Sequence, residues 1–315
     1  MAPDHCPEGP PGGLLGLGMG LGCGGEQGGH WGTPGLGSGS VPLDMAQNSF
    51  DDQYLTCADN MTEKVPELKC TEFLQNEEFA QHWSEARDVW EKRGRLNAHL
   101  SQDEAVALMM YTMGKVHKEF NNAVHEAGYS YQQYQNNFHF KMLHFLLTRA
   151  LQKLRDPNKC QNVFKGESGK KYKVKKGDEV RFGYFASTSL SRVTHIFGST
   201  TVFKVKTCHG VYIRNFSKFH GEKEVLIPPF EKFKVIKAIK GGKKVEIHLD
   251  SIGIYSKYNC ERWGQPGPME TPTGAMGTPV MTHRGQWGQG HPHSDPVPLV
   301  HRQCFGDSPL CIGCG

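Results

Sequence analysis

The stretch Gly221-Glu222-Lys223-Glu224-Val225-Leu226-Ile227-Pro228-Pro229-Phe230 decides how the chain is read. In an extended backbone, residues i and i+2 share a side. The spacing therefore predicts Glu222 and Glu224 facing one space, with Lys223 turned away. Val225, Leu226 and Ile227 form an unbroken apolar run, which suits a strand buried on both faces. Pro228 and Pro229 have no N–H for a ladder and end it. Two carboxylates at the mouth of a dry strand can stabilise a positive, sugar-like centre and polarise an incoming nucleophile. A solvated loop with two charges is the plainer reading of the same letters.

On either side of this stretch the period is that of strands. Runs at 162–164, 178–186, 200–207, 211–214, 233–240 and 244–250 are rich in β-branched and aromatic residues, and Gly241-Gly242 predicts a hairpin turn between the last two. Before residue 160 the period is helical. Two helical pieces are expected over 63–94, one opening at Thr71 and one with Phe79, Trp83, Ala86 and Trp90 along a face. Ser101-Gln102-Asp103-Glu104 reads as a capping box. The stripe behind it (Ala105, Leu108, Met109, Thr112, Val116, Phe120, Val124) predicts one helix, ended by Gly128. Another helix carries Leu143, Leu146, Leu147, Ala150, Leu151 and Leu154, and stops at Asp156-Pro157-Asn158. Helices first and strands second mean an α+β fold.

Composition sets the boundaries. The first forty residues contain fifteen glycines. They cannot bury a core, so 1–42 is expected to be disordered and not to be the natural start. Residues 263–315, Pro/Gly/His-rich, form a second disordered tail, leaving 43–262 as one domain. The net charge of +4 gathers in two lysine-rich stretches that flank strands without interleaved stacking aromatics, so no nucleic-acid partner is expected. No apolar run is long enough to span a membrane. Cys57, Cys160, Cys208 and Cys260 form no CxxC pair. With the sequons at Asn60 and Asn215, they fit disulfides and glycosylation in an oxidising compartment. The tail set His301, Cys304, Cys311 and Cys314 has some of the spacing of a zinc site, but no metal is expected in so glycine-rich a segment.

Chemistry-bearing residues fall in three clusters. Val163-Phe164-Lys165-Gly166 carries a cation to a strand end, either to hold a diphosphate as a point charge or as one surface lysine among many. Phe185-Ala186-Ser187-Thr188-Ser189 places small hydroxyls at a strand end. No Gly-x-Ser-x-Gly elbow accompanies them and His195 is the one histidine close in sequence, so a serine hydrolase is excluded in favour of hydroxyls that orient a carboxylate or a ribose. The third cluster is Glu222 and Glu224. The loop before it carries Phe216, Ser217 and Phe219, the two aromatics either docking a partner or packing on the last helix.

The order of cation, then Phe-Ala-Ser-x-Ser, then Glu-x-Glu-Val-Leu-Ile-Pro-Pro-Phe-Glu resembles the extracellular mono-ADP-ribosyltransferases of arginine-specific, Arg-Ser-Glu type. Asn48-Ser49-Phe50-Asp51-Asp52-Gln53-Tyr54 is similar to the start of that family's domain, and the resemblance covers residues 43–261. It implies a helical part packed on a mixed β-sheet sandwich, NAD or NADP as co-substrate, and arginine-bearing proteins as acceptors. It implies a monomer, secreted or at the cell surface. Glu224 would support the oxocarbenium-like centre and Glu222 would engage the acceptor guanidinium. Ser187 would orient Glu224 and the ribose. Tyr111, Lys165, Ser187, Ser217 and Glu224 would lie along the dinucleotide, and Phe216 and Phe219 would meet the protein substrate. The pairs Cys57–Cys260 and Cys160–Cys208 match the family's disulfides, the second worth roughly 4 kcal/mol by loop closure. One departure stands out: the family cation is arginine, and lysine at 165 keeps the charge but loses the two-pronged grip on phosphate. The resemblance therefore leaves room for a weak or silent member acting as a binding protein, or for an NAD glycohydrolase.

Overall fold

The capping box at Ser101 forms as read: its hydroxyl accepts from the Glu104 amide at 3.2 Å, and the Glu104 carboxylate accepts from the Ser101 amide at 2.8 Å. It opens α3 (Gln102–Thr112), which follows α1 (Ala58–Gln75) and α2 (Glu77–Arg93) and precedes α4 (His117–Ala127), α5 (Tyr131–Asn137) and α6 (Lys141–Leu154). The computed structural model describes residues 40–94, 99–191, 200–242 and 244–261. The readings made on residues 1–39, on His195 and on the tail from 263, with its His301, Cys304, Cys311 and Cys314, lie outside the described residues.

α3 is apolar on all sides beyond its first turn and wholly buried from Glu104 to Thr112, the mark of a helix inside a core rather than on it, while α6 is amphipathic and buried along most of its length. Two boundaries differ from the sequence reading. Thr71 lies inside α1, and the break comes at Asn76, whose side chain caps α2 by accepting from Phe79 N at 2.9 Å. The stripe from 105 to 124 is two helices, because Gly114 takes a left-handed φ of 82° and His117 bonds back to its carbonyl. Gly128 follows α4 and touches the leading segment: a Cβ there would sit 2.2 Å from the Ser49 carbonyl oxygen.

The strands are β1 (Ser40–Pro42), β2 (Gln161–Glu167), β3 (Lys171–Lys173), β4 (Glu179–Val180), β5 (Ala186–Ser189), β6 (Thr201–Thr207), β7 (Val211–Tyr212), β8 (Glu224–Ile227), β9 (Glu231–Gly241) and β10 (Lys244–Ile254). β1 pairs with β3, so ordered chain begins before residue 43. The other eight run β4-β9-β10-β6-β2-β5-β8-β7, parallel only between β6 and β10. Their joint is narrow: β2 and β5 share one residue pair, Phe164 with Ser189. A five-stranded part and a three-stranded part therefore diverge at this seam, as in a sandwich. Between them lies an apolar core that includes Val163, Phe203, Val225, Ile227, Phe233 and Ile247. A second core joins the helices to the far face of the smaller part through Phe185, Val211 and Leu226.

The expected strand over 178–186 is broken. After Val180 the chain leaves the ladder so that Arg181 can enter the interior, where its guanidinium meets Asp51 at 2.5 Å and the carbonyls of Met45, Ala46 and Tyr255. Asp51 also accepts from the amides of Lys257 and Tyr258. The stretch 49–54 of the leading segment is thus buried, and its charges are met one by one; removing one partner of such a pair costs about 3–5 kcal/mol. Cys57–Cys260 and Cys160–Cys208 are both bridged.

Candidate active site

β5 lies between β2 and β8, so the three sequence clusters arrive on neighbouring strands. Glu224 opens β8 opposite Ser189, and Ser187 stands two residues along β5. The Ser187 hydroxyl donates to Glu224 Oε1 at 2.6 Å and that of Ser217 donates to Oε2 at 3.2 Å. Both carboxylate oxygens are therefore held while the residue is only 4% exposed. Burial pushes the Glu224 carboxyl above the usual carboxylate range; the Ser187 bond opposes this and the nearby Glu222 charge adds to it.

Glu222 reaches the site by another route than the one its spacing suggested. It closes a short 3-10 turn (His220–Glu222), and Lys223 then takes a left-handed conformation with φ 48° and ψ 48°. The two acids are therefore not successive same-side positions of one strand. Ser189 fixes the turn by donating to the Glu222 carbonyl at 2.6 Å. Burial raises the Glu222 carboxyl as well.

The two loop phenylalanines part company. Phe216 is buried and stacks on Trp90 of α2, with ring centroids 5.7 Å apart. It anchors the loop on α2, so the docking contact expected at Phe216 is replaced by packing, and on a different helix from the one considered. Phe219 remains 49% exposed beside the acids. Ser217 is wholly buried, and its oxygen also accepts from Phe219 N.

Tyr111 of α3 donates to the carbonyl of Phe185, two residues before Ser187. Asn121 of α4 donates to the Tyr111 oxygen at 3.0 Å and to the same carbonyl at 3.2 Å. Burial raises the Tyr111 phenol, which stays a donor. These two helical residues thus fix the start of β5. Asn121 carried no sequence signal, since an asparagine on a helix is normally solvated.

Lys165 lies within β2 rather than at its end, with its side chain 15% exposed. It borders a cavity of about 440 Å³ between α4 and the leading segment. Its ammonium lies 3.6 Å from Glu167 and 5.7 Å from the centre of the Tyr184 ring. Glu167 was missed by the sequence reading, although the i, i+2 rule applied to Glu222 and Glu224 holds here on β2.

A carboxylate held by two serines thus stands on one side of the seam of a split sheet, with a lysine across that seam. The chain belongs to the NAD:arginine ADP-ribosyltransferase family, whose profile matches residues 43–257. It is 42% identical over 283 residues to NAD(P)(+)–arginine ADP-ribosyltransferase 2 of Gallus gallus, covering 84% of this chain and 90% of that one. It is 41% identical over 267 residues to the GPI-linked NAD(P)(+)–arginine ADP-ribosyltransferase 1 of Homo sapiens, covering 77% and 82%. The crystal structure of the mono-ADP-ribosyltransferase ART2.2 superposes with a TM-score of 0.63 at 37% identity, covering 70% of this chain and 98% of that one. A variant of that enzyme has been solved in complex with NAD.

Proposed function

We propose that the protein transfers ADP-ribose from NAD, or NADP, to arginine side chains of other proteins and releases nicotinamide. The observation that carries this reading is Glu224: a buried carboxylate whose partners are two serine hydroxyls and whose charge awaits a positive centre. As the bond from the ribose carbon to the nicotinamide nitrogen breaks, its electron pair leaves with neutral nicotinamide. The ribose carbon becomes cationic, and Glu224 stabilises it at a fixed distance because Ser187 and Ser217 hold both oxygens. Glu222 engages the acceptor guanidinium, and its raised carboxyl suits it to receive the proton lost when the guanidine nitrogen attacks. Lys165 faces the diphosphate, Tyr111 holds the β5 wall of the dinucleotide cleft, and Phe219 meets the acceptor protein.

The bridges Cys57–Cys260 and Cys160–Cys208 and the exposed sequon asparagines at Asn60 and Asn215 support an extracellular site of action, secreted or at the cell surface, in line with the GPI-linked human relative. We read the acting form as a monomer. The test is incubation of the full chain with NAD labelled in the adenylate half and agmatine as a small guanidine acceptor. Labelled ADP-ribosyl-agmatine is expected from the native chain and roughly 10³-fold less from Glu224→Gln. Equal product from both would sink the assignment.

A further inference from the structure

Lys165 does not stand alone at its end of the cleft. Glu167 lies two residues along the same face of β2, and its Oε1 is 3.6 Å from the lysine nitrogen. The carboxylate is capped from two directions: Tyr172 of β3 donates to Oε2 at 2.5 Å, and Tyr184 of the segment before β5 donates to Oε1 at 3.2 Å. Its side chain is 14% exposed, close to that of Lys165. The Tyr184 ring also turns its face toward the ammonium. Four side chains from three segments thus converge on one half-buried charge pair.

The surroundings make the pairing consequential. Lys170 repels the Lys165 ammonium. His117, Lys118 and His125 of α4 line the same cavity. Arg181 borders it too, but its guanidinium is tied to Asp51. Asp44, the other acid on the cavity wall, accepts from Ala46 N. Among the described residues, Glu167 is therefore the carboxylate in ion-pair reach of Lys165.

We propose that Glu167 is the positioning residue for Lys165: capped by Tyr172 and Tyr184, it holds the ammonium at the dinucleotide end of the cleft. The inference rests on the reading of Lys165 as the cation that faces the NAD diphosphate. An arginine would need no such companion, since a guanidinium stays protonated wherever it sits. A half-buried lysine loses charge readily: burial lowers the Lys165 ammonium, and Glu167 is the group that raises it again. Burial also raises both tyrosines, which remain donors to Glu167.

The test begins without NAD. Titration of the full chain with ¹³C-labelled lysine, followed by NMR, reads the Lys165 ammonium directly. In Glu167→Gln its midpoint is expected to fall by at least about one pH unit, a tenfold change in ionisation constant. Glu167→Asp, which keeps the charge one methylene further back, should fall by less, and is read if the glutamine variant does not fold. NAD affinity is then measured against pH. The alkaline weakening of binding should begin at lower pH in Glu167→Gln and vanish when Lys165→Arg is added. A midpoint that stays or rises in both Glu167 variants overturns the proposal. A native chain that binds no NAD instead overturns the diphosphate role of Lys165, while the lysine midpoint still reports on Glu167.

Discussion

Glu224 and Lys165 lie on opposite sides of the seam in the sheet, and the fold treats them in opposite ways. The acid is given hydroxyls. Its charge is buried and oriented, no cation among the described residues is paired with it, and it interacts with a second acid nearby. The base is given a carboxylate of its own, on its own strand. The first arrangement stores an unbalanced field that a positive ribose relieves, and the second is already balanced before any ligand arrives. Chemistry is therefore expected to depend steeply on the Glu224 side, and binding gently on the Lys165 side.

The sharpest way to break this comparison is Glu224→Gln. Loss of an oriented charge at the reacting centre should cut kcat for transfer to agmatine by roughly 10³-fold. The same variant should melt at a higher temperature than the native chain at pH 7. The raised carboxyl means that the folded protein holds this proton more tightly than the unfolded chain does, so Glu224 subtracts from stability as pH rises through its folded value. The difference in melting temperature should close as the solution is acidified below the ordinary carboxylate range. If glutamine destabilises at neutral pH, the picture of an unbalanced charge is wrong.

Glu222→Gln sharpens the division of labour between the two acids. A charge-assisted bond to the guanidinium should be lost, lowering transfer to agmatine by roughly 10²-fold while hydrolysis of NAD continues. Both reactions falling together would merge the roles. Ser187→Ala removes one of the two hydroxyls on Glu224, and a loss of about tenfold in kcat is expected. The Ser187 bond holds the Glu224 carboxyl down, so the acid limb of the kcat profile should move to higher pH in this variant. The smallest effect belongs to the balanced side. Lys165→Arg should lower KM for NAD a few-fold, roughly, and leave kcat nearly unchanged, because a planar fork can serve Glu167 and the diphosphate together. A large rise in kcat would mean that the cation takes part in the chemical step.

What could be read from the letters was whatever local pattern controls. The capping box at Ser101, the hairpin at Gly241-Gly242 and the buried run Val225-Leu226-Ile227 all rest on interactions within a few residues, and the α+β order follows from them. The break in the strand after Val180 was invisible because its cause is distant: Arg181 leaves the ladder for Asp51, far away in the chain. The split between α3 and α4 did carry a signal in Gly114, overridden by the apolar stripe. At the candidate site, Ser187, Glu224 and Lys165 were singled out through motif resemblance, whereas Asn121, Tyr172 and Tyr184 come from other elements and carry no pattern. The i, i+2 rule is the instructive case. It failed at Glu222, where a left-handed Lys223 interrupts the strand, and would have succeeded at Glu167, where it was not applied.

The bridge from Cys57 to Cys260 has a consequence for how the molecule withstands damage. It fastens the residue just before the first long helix to one just past the last strand, and so turns the domain into a closed loop of chain. A protease that cuts one exposed turn inside that loop produces two fragments still joined through sulfur. Such a nicked molecule should migrate as a single band until a reductant is added, and only then come apart.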